Sequence, residues 1–294
     1  MSKKQKPRKD IYSIPSLLIH GHTRDKHWDY SHHVVPPLSS STAYRLSSAA
    51  RGARGFAEYG AGTTAGDRRG QAPIYIYDRL AEPTRDMLEE ALATAERGEI
   101  AVTFASGMAA VSAALSICAV TGEHIIAHNV IYGSTYSLLT HWMPKYKIGV
   151  TLTNLRDPVA LRRAIRGNTR VIYFESPANP NLELIDIAAV RQIIAEDNAR
   201  RPEQDRIHIL VDNTFASPFC QRPIEHGADL VVHSATKYIG GHGDVTGGTV
   251  AAADEATGKK VRYQAKLLGA VLGPNEAWLA HRGLKTLSLR IGNS

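Results

Sequence analysis

The chain of 294 residues is 43% hydrophobic and 21% charged, and it carries a formal net charge of +7. This composition excludes disordered and fibrous proteins, and the length is sufficient for one large domain or two. The longest nearly apolar stretch, residues 109–120, is too short to cross a bilayer, and the basic N-terminus lacks the apolar core of a secretory signal. We therefore expect no membrane partner and a cytoplasmic location.

The positive charge is concentrated at the N-terminus, where the first ten residues hold five cations and one anion and so carry +4 of the +7. No aromatic residue is interleaved with these cations, which favours a solvated tail over a nucleic-acid-binding arm. The two cysteines, Cys118 and Cys220, lie in apolar sequence contexts and are predicted to be reduced and structural. No metal site is expected, because the five histidines between positions 20 and 33 lack a known ligand spacing.

Residues 1–80 are predicted to form an irregular N-terminal arm with loops, because they show little hydrophobic periodicity. Within them, residues 49–70 are rich in glycine, alanine and arginine. Such a composition is typical of a segment that is flexible alone and that orders against a partner subunit.

From Pro83 onward, helical and strand-like periods alternate. Thr84 can cap a helix that Gly98 ends. Further helices are predicted at residues 108–120, 134–142, 159–165, 187–196 and 276–287, and strands at residues 100–104, 124–127, 148–152, 171–174, 207–211 and 230–232. Strands that are apolar on both faces indicate a mainly parallel, doubly wound sheet with helices on each side, so the predicted fold class is α/β. The large domain is predicted to span residues 81–275, and residues 276–294 to form a linker helix leading out of it.

In such a sheet, ligands bind beyond the carboxyl ends of the strands. Ser106, Gly107 and Met108 follow one predicted strand as a turn that opens a helix, where free backbone N–H groups attract a phosphate. An ordinary strand-to-helix turn is the alternative. Asp212 follows another strand, and a buried carboxylate there requires a cation or several hydrogen-bond donors. A capping role is the alternative for this residue.

Lys237 follows a third apolar strand, between hydroxyl-bearing residues and a glycine-rich segment. A lysine whose pKa is lowered by partial burial is a nucleophile and forms a Schiff base with an aldehyde. The three strand ends together match an aldehyde, a phosphate and a pyridine nitrogen that must be held cationic. That combination describes pyridoxal 5'-phosphate (PLP).

Four motifs surround these positions: Ser106 to Met108, Glu175 to Pro180, Val211 to Phe215 and His233 to Tyr238. Together they resemble the Cys/Met-metabolism family of PLP-dependent enzymes, and the resemblance runs from residue 74 to residue 290. It implies the aspartate-aminotransferase-like architecture known as fold type I, with PLP as the cofactor.

The resemblance also implies a role for each matching residue. Lys237 would hold the cofactor and act as a base at the substrate Cα and Cβ, while Asp212 would pair with the pyridinium nitrogen. Tyr132 would stack on the ring and protonate the leaving group, its alternative being a core tyrosine, and Asn179 would contact the ring hydroxyl. The phosphate would be bound by Ser106, Gly107, Met108, Ser234 and Thr236, and by Tyr77 and Arg79 of a neighbouring subunit. A homodimer or homotetramer with shared sites is therefore implied.

The implied reaction is γ-elimination or γ-replacement on a small sulfur amino acid. The motifs are most similar to those of methionine γ-lyase. O-acetylhomoserine sulfhydrylase and cystathionine γ-synthase are the alternatives. Ser134 stands where methionine γ-lyases carry a cysteine, and Glu82-Pro83-Thr84 replaces the usual Asn-Pro-Thr. The sequence ends where the family's smaller C-terminal domain would begin, and that domain normally supplies the arginine that binds the substrate carboxylate. Arg290 is the one substitute considered, and a truncated, non-catalytic subunit is the alternative of a different class.

Overall fold

The computed structural model describes residues 13–20, 35–60 and 74–294. The strands in these residues are β1 Ile100–Phe104, β2 His124–His128, β3 Gly149–Thr153, β4 Thr169–Glu175, β5 His208–Asp212, β6 Leu230–Ser234 and β7 Gly248–Ala252. The helices are α1 Ile14–His20, α2 Ala49–Gly60, α3 Pro83–Glu96, α4 Gly107–Cys118, α5 Gly133–Ser137, α6 Pro158–Ala164, α7 Ile187–Asn198, α8 Ser217–Cys220, α9 Glu255–Leu268, α10 Pro274–Leu284 and α11 Leu287–Ile291. Helix α5 continues through a π-helical turn, Leu138–Trp142, into a 3-10 turn, Met143–Tyr146.

The strands form one seven-stranded sheet in the order β1-β7-β6-β5-β4-β2-β3. Strands β2 to β6 pair in parallel, which confirms the predicted mainly parallel α/β sheet. Strand β7 pairs antiparallel with both β1 and β6 and was not predicted from the sequence. In the register of β4 and β5, Glu175 lies beside Asp212, so two carboxylates end neighbouring strands.

Both faces of the sheet are buried against helices, as the doubly apolar strands predict. On β4, Ile172 and Phe174 pack into a core that α3, α7 and α10 cover. Val171 and Tyr173 of the same strand point to the opposite core, which α4 and α9 cover. A fully buried side chain of this size stabilises the fold by about 1.5–3 kcal/mol. The two cores therefore fix the strand ends rigidly, and with them the side chains that follow each strand.

Helix α3 begins differently from the prediction. Its N-cap is Glu82, whose carboxylate accepts hydrogen bonds from the backbone N–H groups of Thr84, at 2.8 Å, and of Arg85. Thr84 does not cap the helix because its hydroxyl instead donates to the carbonyl oxygen of Pro37, at 2.8 Å. This bond ties residues of the N-terminal arm to the body of the protein.

The prediction of an irregular N-terminal arm is wrong for two segments, because α1 and α2 are helical. Helix α2 orders against its own chain, where Tyr59 is buried in a small cluster with Ile74, Ile76 and Ala81. A Cβ atom added to Gly55 would lie 2.8 Å from side-chain atoms of Ile74 and Ile76, so glycine allows this close packing. Residues 61–70 of the predicted flexible segment lie outside the described residues.

Two further expectations need correction. The predicted helix at 276–287 is divided, because α10 ends at Leu284 and α11 starts at Leu287. Both cysteines are free, but Cys220 is exposed, so only the partly buried Cys118 fits a structural role; burial raises the pKa of its thiol to about 12. Across the described residues, no helix combines the length and the apolar character that crossing a membrane requires.

Candidate functional site

A cavity of about 1110 Å³ opens where β4, β5 and β6 end. Nine of the eleven residues that the sequence predicts for the site line it: Ser106, Gly107, Met108, Tyr132, Asn179, Asp212, Ser234, Thr236 and Lys237. Tyr77 and Arg79 do not. The carboxyl edge of the sheet thus brings together residues that are up to 131 positions apart, from Ser106 to Lys237.

The first turn of α4 forms one wall of the cavity. Ser106 is the N-cap, and its Oγ accepts a hydrogen bond from the N–H group of Ala109, at 3.1 Å. The N–H groups of Gly107 and Met108 have no acceptor within the helix and remain for a ligand. A Cβ atom at Gly107 would lie 2.8 Å from the Cβ atom of Ser234, so only glycine lets the helix approach the end of β6 this closely. The wall is therefore a compact cradle suited to an anion.

Two carboxyl groups form the floor of the cavity. Asp212 accepts a hydrogen bond from the N–H group of Thr214, at 2.9 Å, yet burial raises its pKa above the usual range. Burial and then the neighbouring charge of Asp212 raise the pKa of Glu175 to about 7. Among the described residues, neither carboxylate forms an ion pair. Adjacent buried carboxylates of this kind favour a ligand that brings a positive charge.

Lys237 follows β6 in an anchored turn. Its N–H group donates to the carbonyl oxygen of Ser234, at 3.1 Å, and its carbonyl oxygen accepts from the N–H group of Gly241, at 2.8 Å. The side chain is exposed in the cavity, rather than partly buried as predicted. Within the part of the chain that the structure describes, its amino group contacts no acceptor. The turn therefore fixes the main chain of Lys237 while leaving its amino group available to a ligand.

Tyr132 and Asn179 stand on two loops that border the cavity. Tyr132 immediately precedes α5 and is 47% exposed, which excludes the alternative of a core tyrosine. Asn179 lies in the loop between β4 and α7. The carboxylate of Glu175 contacts both loops, because it accepts hydrogen bonds from the N–H groups of Tyr132, at 2.7 Å, and of Asn179, at 3.1 Å.

Glu175 is the main residue that the sequence analysis missed, although it begins one of the quoted motifs. The signal was present, because Glu175 ends an apolar strand in the same way as Asp212. The other lining residues without a predicted role include Thr135, Phe215 and Tyr238. Phe215 and Tyr238 end two of the quoted motifs, so their positions carried a signal, whereas Thr135 stands in none of them.

Tyr77 and Arg79 lie together on the surface, outside the cavity. The guanidinium group of Arg79 lies over the ring of Tyr77, with its central carbon 5.5 Å from the ring centroid. Arg79 also donates a hydrogen bond to the carbonyl oxygen of Lys266 at the end of α9. Within one chain, these two residues therefore do not join the other nine.

Arg290 lines the cavity, but each nitrogen of its guanidinium group already donates one hydrogen bond within the chain. It donates to the carbonyl oxygens of Tyr238, at 2.7 Å, and Gly283, at 2.8 Å, and to the hydroxyl of Thr286, at 3.1 Å. Two of these bonds hold Arg290 to the end of α10 and the residues just after it, and the third holds it to the turn after β6. The expectation that Arg290 could bind a substrate carboxylate is therefore not supported.

The described residues include no group of three or more histidine, cysteine, aspartate or glutamate side chains that could hold a metal ion. The histidines at positions 22, 27, 32 and 33, which the sequence analysis considered, lie outside the described residues.

Known proteins resemble this chain in sequence and in fold. A sequence model described as "Cys/Met metabolism PLP-dependent enzyme" matches residues 16–294. Among curated proteins, L-methionine gamma-lyase of Porphyromonas gingivalis is 39% identical over 260 residues, covering 88% of this chain and 60% of that protein. A probable cystathionine gamma-synthase of Herpetosiphon aurantiacus is 42% identical over 217 residues, covering 74% of this chain and 65% of that protein.

Among solved structures, cystathionine gamma-lyase from Lactobacillus plantarum, complexed with L-serine, superposes with a TM-score of 0.79 and 34% identity. The match covers 95% of this chain and 65% of that one. The chain thus spans about 60% of the length of the curated methionine gamma-lyases that it matches.

Proposed function

We propose, from the premise that this chain belongs to the Cys/Met metabolism family of PLP-dependent enzymes, that it binds PLP and serves γ-elimination or γ-replacement on a sulfur amino acid. The observation that carries the proposal is the convergence of Lys237, Asp212 and the first turn of α4 on one cavity. A nucleophilic amine, a carboxylate and an anion cradle are the three groups that PLP requires.

The residues present fit this cofactor in charge as well as in position. The cradle at Gly107 and Met108 offers N–H groups to the phosphate, and the hydroxyl group of Ser234 would assist. The hydroxyl of Thr236 donates to the carbonyl oxygen of Gly247, at 3.3 Å, and would give up this bond to reach the phosphate. Asp212 has a raised pKa because it is buried without a cation, and a pyridinium nitrogen would supply that cation. Tyr132 would cover the ring, and Asn179 would contact the ring hydroxyl.

When bound, PLP supplies an electron sink for the electron pair that develops at the substrate carbons. The part of this chain is to hold and move protons. Lys237, with its amino group open to the cavity, would hold the cofactor aldehyde and then take protons from the substrate Cα and Cβ. Tyr132 would donate a proton to the departing γ-group. The buried carboxylate of Asp212 would keep the ring nitrogen charged and so preserve the electron sink.

The test is to reconstitute the full chain with PLP and reduce it with borohydride. We expect mass spectrometry to find the cofactor attached to the peptide that contains Lys237, and to find no such adduct in Lys237→Ala. Lys260→Ala, which alters a lysine on α9 away from the cavity lining, serves as the matched control and should label like the wild type. A wild-type chain without the adduct would refute the proposal.

For the substrate we propose a class, the sulfur amino acids, rather than one compound. Assays for released α-keto acid, with methionine, cystathionine and O-acetylhomoserine supplied separately, distinguish the lyase from the replacement reactions. Ser134, the residue that departs from methionine γ-lyases, is exposed and is not among the residues lining the cavity.

A non-catalytic subunit that holds the cofactor is the second candidate, and the engaged guanidinium of Arg290 favours it. Product release by the chain alone would exclude that candidate.

Tyr77 and Arg79 lie outside the cavity of their own chain, and we propose that they complete the phosphate site of a neighbouring subunit in a homodimer or homotetramer. Mixing two inactive variants tests this. When Arg79→Ala subunits are mixed with Lys237→Ala subunits, PLP attachment should return in the mixed oligomers. One of the two sites that such a pair of subunits shares then contains both Arg79 and Lys237. Tight PLP attachment in Arg79→Ala alone, equal to the wild type, would contradict this arrangement.

A further inference from the structure

Glu175 occupies a central place in the cavity without a role in the proposed chemistry. It is the last residue of β4, it is 4% exposed, and it lines the cavity beside Asp212. Burying an ionisable carboxyl group is costly unless its oxygens are well hydrogen-bonded. The contacts that compensate this cost indicate what the residue does.

The two carboxylate oxygens of Glu175 contact two different segments of the chain. Oε1 accepts from the N–H group of Tyr132, at 2.7 Å, and Oε2 accepts from the N–H group of Asn179, at 3.1 Å. Tyr132 lies at the start of α5, and Asn179 lies in the loop after β4. One side chain thus holds the main chain at two residues whose own side chains border the cavity.

A carboxylate suits this position better than any other side chain. When ionised, as it is above its pKa of about 7, it is the one side-chain group that is acceptor-only and offers two equivalent oxygens, so it satisfies two N–H groups at once. A glutamine of the same shape would direct its NH2 group against one of the two donors. Hydrogen bonds to an ionised acceptor are also roughly twice as strong as those between neutral groups.

The surroundings of Glu175 oppose its charge rather than support it. Asp212 faces Glu175 from β5. Tyr173 lies on β4, two residues before Glu175, and its pKa is raised by burial and then by the charges of Asp212 and Glu175. Across the described residues, no lysine, arginine or histidine forms an ion pair with Glu175. A residue kept for stability alone would avoid this neighbourhood, whereas a positioning role accounts for it.

We propose that Glu175 is a positioning residue for the cofactor: its carboxylate fixes the main chain of Tyr132 and Asn179 so that both side chains stand in place before the cofactor arrives. The inference rests on the proposed function, because it assigns Tyr132 and Asn179 to the cofactor. It adds to that function the residue that keeps the side chains of Tyr132 and Asn179 in position for the cofactor ring.

The test compares Glu175→Gln with Glu183→Gln. Glu183 lies in the same loop as Asn179, but its carboxylate contacts His128 and Arg156 instead. In the protein without PLP, at about pH 8 where Glu175 is ionised, we expect amide hydrogen exchange to rise about tenfold at Tyr132 and at Asn179 in Glu175→Gln. Glu183→Gln should leave exchange at Tyr132 unchanged. PLP titration should show about tenfold weaker binding for Glu175→Gln and wild-type binding for Glu183→Gln.

Glu175→Asp provides a second variant in case Glu175→Gln does not fold. It keeps the charge and both oxygens but is one methylene shorter, so at least one of the two N–H groups should exchange faster. Wild-type exchange and PLP affinity in these variants would overturn the inference, and so would an equal rise in exchange throughout α9, which would indicate a general loss of stability. Failure of the wild-type chain to bind PLP would instead refute the proposed function.

Discussion

The two edges of the sheet hold buried polar groups in different ways. At the amino-terminal edge, Arg170 pairs with Glu123, at 2.9 Å, and with Asp205, at 2.5 Å. Close by, both ring nitrogens of His124 form hydrogen bonds of 2.9 Å, with the hydroxyls of Thr169 and Thr151. The polar groups on this edge partner each other.

At the carboxyl edge the same kinds of groups lack such partners. Glu175 and Asp212 lie side by side, and within the described residues no cation pairs with either. The amino group of Lys237 opens into the same cavity without an acceptor from the described chain.

Native folds normally satisfy their buried polar groups. An edge that leaves like charges adjacent gives up stability, and functional sites are where proteins do so. The balance of charges therefore distinguishes the carboxyl edge, where we propose that the ligand binds, from the amino-terminal edge, whereas residue composition alone does not.

Asp212→Asn should give the largest contrast between the edges. Removing one member of a buried charge pair costs about 3 kcal/mol, so PLP should bind more than 100-fold more weakly. Without PLP, the variant should unfold at the same or higher urea concentration than the wild type, because a neutral amide relieves the buried charge. Fluorescence titration with PLP and urea denaturation measure the two quantities.

Asp205→Asn, at the opposite edge, is the matched control, since it removes a carboxylate that Arg170 already pairs. It should leave PLP affinity unchanged and should not raise stability. If Asp212→Asn destabilised the ligand-free protein more than Asp205→Asn, the proposed difference between the edges would be wrong.

The two edges should also respond to pH in opposite directions. The pKa of Glu175 is about 7 in the folded protein and about 4.5 when unfolded, so the folded state binds the proton more tightly. Its contribution to stability is therefore complete below pH 4.5 and falls by about 3 kcal/mol as the pH rises to 7. Burial and then Arg166 lower the pKa of His124 to about 4, so its contribution is present above pH 6.5 and falls as the pH drops to 4.

Difference measurements isolate each group from the other titrating residues. Urea denaturation of the ligand-free protein at several pH values should show that Glu175→Gln removes the loss between pH 4.5 and 7. His124→Gln should instead remove a loss between pH 6.5 and 4. Identical pH profiles of the wild type and Glu175→Gln would contradict the raised pKa.

Arg170→Ala should lower stability without affecting ligand binding. It leaves Glu123 and Asp205 without their common partner, and we expect a loss of about 2 kcal/mol, less than for a fully buried pair because Asp205 is partly exposed. Arg162→Ala, which breaks the exposed pair with Glu196, should leave the urea midpoint unchanged. A change in PLP affinity with Arg170→Ala would show that the amino-terminal edge also influences the site.

Much of the fold follows from local sequence pattern, and what was missed depends on tertiary contacts. The parallel strands are continuous apolar runs, and their ends were predicted to within two residues. Strand β7 was missed because its sequence, Gly-Thr-Val-Ala-Ala, consists mostly of small residues and has only two β-branched ones. It is a strand because β1 and β6 pair with it on both sides. Helix α2 was missed although its sequence is amphipathic at helical spacing, because its glycine-, alanine- and arginine-rich composition was interpreted as a sign of flexibility.

The candidate site was predicted more fully than the fold around it. Asp212 and Lys237 were predicted because each is a charge placed directly after an apolar strand, and strand ends meet at one edge. Glu175 satisfies the same rule and was overlooked. Its contacts with Tyr132, 43 positions away, could be known only from the folded chain. The engaged guanidinium of Arg290 is likewise a tertiary feature.

Gly107→Ala should have the smallest effect, and it tests whether the close approach of α4 to β6 matters for binding at the carboxyl edge. The added Cβ atom would lie 2.8 Å from Cβ and 3.1 Å from Cα of Ser234, and the backbone contact cannot be relieved by a side-chain rotation. The first turn of α4 must therefore shift, at a cost of about 1 kcal/mol, and PLP should bind about fivefold more weakly. Gly133→Ala, at the start of α5, is the matched control, because its Cβ atom would meet nothing within 4 Å. Equal PLP affinity of the two variants would mean that the cradle tolerates a shift of α4 and that its close approach to β6 is not needed for the phosphate.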